Sequence, residues 1–154
     1  MLGSNRGVFL ECGSLEQKDG RMAKRQWLWI RVPRGPIPKV AQDALRARLE
    51  RHVHAKWKEQ CREVVVRFRG AFAYVGAFRA KNEFHPRMRL EERAAIEVIS
   101  VHLCRLGYLG SADRWQYAFY KYSTEKYALS LCASGSFEAT PEEAFDSSAG
   151  YLYG

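Results

Sequence analysis

The chain has 154 residues, 47% of them hydrophobic, which fits one domain with one core and excludes wholesale disorder. No apolar run approaches the roughly 20 residues that span a bilayer, and no segment joins a basic start, an apolar stretch and a small-residue cleavage site, so a cytoplasmic protein with no membrane partner is expected. The net charge of +8 is uneven: residues 1–93 hold 21 Lys/Arg against 10 Asp/Glu, and residues 94–154 hold 4 against 7.

Residues 1–38 lack periodicity and are rich in Gly, Pro and charge, which predicts a mobile basic tail. Met22 begins "MAKRQWLWIRVPRGPIPK", a natural protein start, so residues 1–21 read as a non-native extension. Within the tail, Trp27, Trp29 and Ile30 sit among Lys24, Arg25, Arg31 and Arg34. They are expected to dock on the domain, with stacking on bases as the alternative. Residues 39–154 read as a single α+β domain.

Pro38 opens a helix, where its missing N–H costs nothing. Ala41, Leu45, Leu49, Val53, Trp57 and Cys61 recur every four residues, the stripe of an amphipathic helix of about five to six turns. Arg46, Arg48, Arg51, Lys56, Lys58 and Arg62 occupy its other faces. In residues 63–69, Val64, Val66 and Phe68 alternate with Arg67 and Arg69, which predicts a half-buried strand. A turn at Gly70 joins it to "AFAYVGAF", a second strand with Phe72, Tyr74 and Phe78 on one face.

Residues 79–97 are polar and contain Pro86. "RLEERAAIE" has helix-forming composition, so an insertion with a short helix is expected there. "VISVHLCRLGYL" then places Ile99, Val101 and Leu103 opposite Ser100, His102 and Cys104. "WQYAFYKYS" and "YALSLCAS" complete a meander, each preceded by turn residues. At the end, Thr140, Pro141 and Glu143 form an N-cap, first helical residue and capping box. The helix they start puts Ala144, Phe145, Ser148, Ala149 and Leu152 on one face. The expected fold is a largely antiparallel five-stranded sheet with two main helices on one face, in the order α-β-β-insertion-β-β-β-α.

The stretch "CRLGYLGSADRWQYAFYKYSTEKY", with the later "TPEEAFDSSAGYLY", resembles a family of small bacterial hypothetical proteins. "WLW" followed by a Pro-Lys stretch is also similar. The resemblance covers roughly residues 98–153 and 22–40. It implies a bacterial source and carries no assigned activity.

Cys12, Cys61, Cys104 and Cys132 form no CxxC pair and no Cys–His spacing that reads as zinc, so free thiols without a metal or cofactor are expected. Phosphate-binding loops, HExxH and GxSxG are absent. His52 and His54, two apart on a helix, point in different directions and form no metal site. His102 and Cys104, two apart on a strand, share a face, the one arrangement that suggests a thiol nucleophile with a histidine base. A buried structural pair is the plainer reading.

A basic half joined to a mildly acidic one suggests an anionic partner, most directly DNA or RNA, and the plainer reading is a basic surface that only keeps the protein soluble. The set expected to follow a phosphate backbone is Lys24, Arg25, Arg31, Arg34, Arg46, Arg51, Lys58, Arg67 and Arg69. Trp115, Tyr117 and Phe119 form a dense aromatic face with Tyr120 and Tyr122 opposite, suited to a core, an interface or base stacking. These features favour a non-enzymatic nucleic-acid-associated module. The alternatives are an assembly subunit that meets an acidic protein surface or a second copy of itself, and the thiol-dependent enzyme.

Overall fold

The computed structural model describes residues 5–10, 26–81 and 84–152. The chain divides into two units, Met1–Val32 and Pro33–Gly154. In the first, β1 (Asn5–Leu10) pairs antiparallel with β2 (Gln26–Arg31), with Asn5 opposite Arg31 and Leu10 opposite Gln26. The expected tail thus contains a hairpin, and β1 lies within the stretch read as an extension. "GVFL" and "WLWI" are too short for an alternation to stand out against the surrounding charge. Lys24, Arg25 and Met22 lie outside the described residues.

The second unit runs α1 (Lys39–Lys56), β3 (Cys61–Arg69), β4 (Phe72–Arg79), α2 (Leu90–Glu97), β5 (Val101–Tyr108), β6 (Trp115–Lys121), β7 (Lys126–Leu129), β8 (Glu138–Ala139) and α3 (Pro141–Ser148), closed by a 3-10 turn at Ala149–Leu152. It is α+β. The antiparallel sheet has the order β3-β4-β5-β6-β7, and β8 shares the outer edge of β6 with β7.

The unit begins ahead of α1. The Arg34 N–H donates to the Tyr108 carbonyl at 3.3 Å, the Ile37 N–H donates to the Gly70 carbonyl at 3.2 Å, and Ile37 is buried in the core. Residues 33–38 are therefore anchored rather than tail-like.

α1 buries Leu45, Leu49 and Val53, the central part of the predicted stripe. It is 18 residues long and stops at Trp57, whose N–H closes on the Val53 carbonyl at 2.8 Å. Cys61 continues the four-residue spacing but opens β3 instead. The β3–β4 turn places Gly70 at φ +59°, a left-handed conformation that glycine adopts without Cβ strain. In the insertion, the Arg89 N–H donates to Glu92 Oε2 at 3.2 Å and starts α2, which buries none of its residues.

α3 begins as its sequence dictates. Thr140 Oγ1 accepts from the Glu143 N–H at 3.2 Å, with Pro141 at the first turn. The return half of the capping box is absent, because Glu143 Oε1 instead accepts from the Ser134 N–H at 2.8 Å. Ala144, Phe145, Ser148, Ala149 and Leu152 are all buried, as the helical spacing predicts. α1 and α3 pack on the same face of the sheet, over Val64, Val66, Ala73, Val75 and Leu106.

A polar clasp joins the two helices. Asp146 on α3 accepts from His52 Nε2 at 2.7 Å, Trp57 Nε1 at 2.7 Å and Lys56 Nζ at 2.9 Å. Arg48 bonds both Glu142 and Asp113. Burial alone would push the Asp146 carboxyl up; the bonds from His52, Lys56 and Trp57 outweigh it and hold the carboxyl below its usual value. A carboxyl whose folded value is depressed adds stability that is fully present above its unfolded value of about 3.9 and is lost as pH falls through the folded value. Asp146→Ala is expected to cost about 1–2 kcal/mol at neutral pH, given its partial exposure. Urea midpoints should show the gap between wild type and variant closing on acidification. A gap independent of pH would show that the clasp contributes by packing alone.

Candidate nucleic-acid interface

Alternation along the strands divides the sheet cleanly. Ala73, Val75 and Ala77 of β4 face the helices, so Phe72, Tyr74 and Gly76 face the other way. Among the described residues α1 and α3 lie on the first face, and on the second Pro33 packs over Gly107. Strand register builds it in rungs. Arg67 of β3, Tyr74 of β4, Arg105 of β5 and Ala118 of β6 lie side by side, and Arg69, Phe72, Gly107 and Gln116 form the next rung.

The small residues leave room for large rings to lie across the sheet. Tyr127 of β7 reaches Tyr74, with ring centres 5.3 Å apart, and Tyr120, at 5.0 Å. Tyr120 stacks on His102 at 4.6 Å and meets Tyr122 at 4.7 Å. The Arg105 guanidinium lies 4.3 Å from the centre of the Phe72 ring and 5.8 Å from that of Tyr127, within cation–π range of both. Burial pushes the Tyr127 hydroxyl up to about 12 and raises that of Tyr122, so both stay neutral near pH 7. Tyr122 also pins the start of β5: its Oη accepts from the His102 N–H at 2.8 Å. Carboxylates at strand positions of this face, Glu63 and Glu138, stand at opposite corners.

The predicted aromatic face is the wrong one of the two on β6. Trp115 and Tyr117 are 1% and 2% exposed, and Phe119 packs against the same core. Trp115 Nε1 donates to the Ala112 carbonyl at 3.1 Å, and the Tyr117 hydroxyl bonds Ser148 Oγ at 2.7 Å. Their polar atoms are thus satisfied under the helices, and Tyr120 and Tyr122 take the outward role.

The basic set is also divided. Arg67 and Arg69 lie on the face opposite the helices, and Arg105, absent from the predicted set, joins them. Arg46 sits on the helix side, where it donates to the Val66 carbonyl at 3.2 Å and covers Phe68. Arg51 and Lys58 are exposed on the helix layer and the loop after it. Arg34 precedes α1, and Arg31 belongs to β2 of the other unit. Arg105 gave no signal in the sequence, because one arginine in an apolar strand reads as an exception to the alternation.

The Cys104–His102 pair does not form. A β-bulge adds a residue to β5: Cys104 pairs with Val75 and His102 with the adjacent Gly76, leaving Leu103 extra. His102 therefore faces outward with Gly76, and Cys104 faces the core with Val75. Cys104 is 1% exposed, and burial pushes its thiol up to about 12. A protonated, inaccessible thiol across the sheet from the histidine is no nucleophile. His52 is held in the Asp146 clasp. Among the described residues no three His, Cys, Asp or Glu side chains gather to hold a metal, and no helix is long and apolar enough to cross a membrane.

No protein-family model, curated protein or solved structure matches the chain. The functional reading therefore rests on the face itself. Peptide mapping after brief iodoacetamide treatment should leave Cys104 unmodified in the native protein and alkylated in denaturant. Rapid native alkylation would restore the thiol reading.

Proposed function

We propose that this protein is a non-enzymatic module that binds single-stranded nucleic acid on the face of its sheet opposite α1 and α3. The observation that carries the reading is the juxtaposition of Arg67, Tyr74 and Arg105 in one rung with Tyr127 lying alongside. Ring faces accept unstacked bases of any sequence, and guanidinium groups beside them meet the phosphates. Duplex bases are stacked and paired, so a sheet of tyrosines has little to offer them beyond charge. The interface differs from the predicted one in position: it draws on the sheet arginines rather than on the whole basic N-terminal half. Weak sequence preference follows from contacts made mainly by stacking and charge.

A protein-interaction subunit is the second reading. Leu90, Val98 and Ile99 favour it, because they stand 79%, 73% and 66% exposed around α2 and the entry to β5.

Fluorescence anisotropy with labelled single- and double-stranded DNA and RNA at two salt concentrations separates the two. Single strands are expected to bind more tightly, with affinity falling steeply as salt rises. The Arg67→Ala/Arg69→Ala double variant should lower the salt slope by about 1–2. Tyr74→Ala and Tyr127→Ala should each cost about 1–3 kcal/mol, whereas Arg51→Ala and Lys58→Ala should change little. Absence of binding at low salt would overturn the nucleic-acid reading. Equal losses from the helix and sheet variants would place the interface elsewhere.

A further inference from the structure

We propose that the depression above Gly76 is a binding site for a single nucleotide, holding the base against the glycine backbone and the phosphate at Arg67 and Arg69. The proposal rests on the nucleic-acid reading of the sheet face and adds a discrete position to it.

The depression lies where β4 carries no side chain and its neighbours β3 and β5 do. Gly76 lies between Val65 on β3 and His102 on β5, with Tyr74 and Tyr127 bounding the hollow. The hollow measures about 470 Å³, within the range of roughly 300–1,000 Å³ typical of small-molecule sites. A Cβ at Gly76 would meet the Val101 carbonyl oxygen at 2.9 Å and approach Ser100 at 3.8 Å, so a side chain there would crowd the floor.

The lining names the ligand class. Tyr74 and Tyr127 supply ring surfaces for a flat, unsaturated heterocycle. Ser100 and His102 supply hydroxyl and imidazole groups at the rim, able to bond the edge of a base. The His102 Nδ1 stands 3.5 Å from the Tyr127 hydroxyl, a long contact, while its ring is held by stacking on Tyr120. Arg67 and Arg69 line the β3 side and bring two guanidinium groups to one wall. Inorganic phosphate alone would use the arginines and leave the rings idle. An uncharged ring would do the reverse. A nucleotide uses both, whereas an aliphatic acid leaves the rings idle.

The test uses the full chain. AMP, GMP, CMP and UMP, with inorganic phosphate as control, are titrated against a complex with a labelled single-stranded oligonucleotide and followed by anisotropy. Direct binding of the same mononucleotides is followed by NMR. At least one mononucleotide is expected to bind about tenfold or more tightly than phosphate. Val65→Trp fills the hollow from the edge strand and leaves both arginines in place. It should weaken mononucleotide binding by about tenfold or more, with a smaller loss for the oligonucleotide, which keeps its other stacking positions. Ser100→Tyr fills the hollow from the opposite rim and guards against misfolding of the first variant. Mononucleotides that bind no better than phosphate, or that bind both folded variants as they bind wild type, would overturn the site. If oligonucleotides still bind in a salt-dependent way, the site falls and the sheet-face reading stands. If mononucleotides bind and no oligonucleotide does, the site stands and the strand-binding reading falls.

Discussion

One extra residue in the central strand decides what this molecule shows to its surroundings. Leu103 has no counterpart on β4, so the alternation of β5 is reset there. Upstream of the bulge His102 points away from the helices; downstream Arg105 does the same, while Cys104 and Leu106 enter the core. Without the bulge, strict period-two alternation would put His102, Cys104 and Leu106 on one face and Arg105 on the other. A charge would then lie under the helices, and a cysteine and a leucine would displace polar groups from the outer face. The bulge thus lets one strand serve a dry face and a wet face whose patterns do not match in register.

The basic surplus of the first 93 residues is divided by the fold in a way composition does not reveal. Arg48 and Lys56 are matched by Glu142, Asp146 and Asp113, which come from the acidic last third of the chain. This part of the charge asymmetry is internal complementarity between α1 and two segments distant in sequence and adjacent in space, α3 and the β5–β6 connection. Arg67, Arg69 and Arg105 have no such partners among the ion pairs of the described residues, and they share one face. A partner-directed charge is therefore better identified by what remains after the helix clasp is accounted for than by the net value.

Elements whose signal is local were legible in the sequence. The stripe through Leu45, Leu49 and Val53, the Gly70 turn and the Thr140–Pro141 helix start each depend on a few neighbouring residues, and each formed as expected. The features that were not legible depend on partners. A bulge is defined only against the strand it pairs with. The alternation of β6 separates Trp115, Tyr117 and Phe119 from Tyr120 and Tyr122, but it cannot rank two aromatic sets as inner and outer. That ranking comes from Ala112 and Ser148, which supply hydrogen-bond partners for the inner pair. β8 is two residues long and exists only because β6 leaves an edge beside β7.

The outer face is held in shape by the same groups that suit it to binding. Tyr74, Tyr127, Tyr120 and His102 touch in series at ring separations of 4.6–5.3 Å. Each ring is steadied by the next before any ligand arrives. Binding to such a surface loses less side-chain freedom than binding to lysines or isolated rings. Tyrosine is well suited to this position, because its ring shields the sheet while its hydroxyl can bond protein groups, as Tyr122 does with the His102 N–H. Leucine or isoleucine in these places would bury comparable area but leave an exposed apolar patch. Gly76 and Gly107 are required by close neighbours instead, since a Cβ would meet the Val101 carbonyl oxygen at the first and Pro33 at the second. Stability and the proposed recognition thus call for the same groups on this face: flat rings in mutual contact, with arginines beside them.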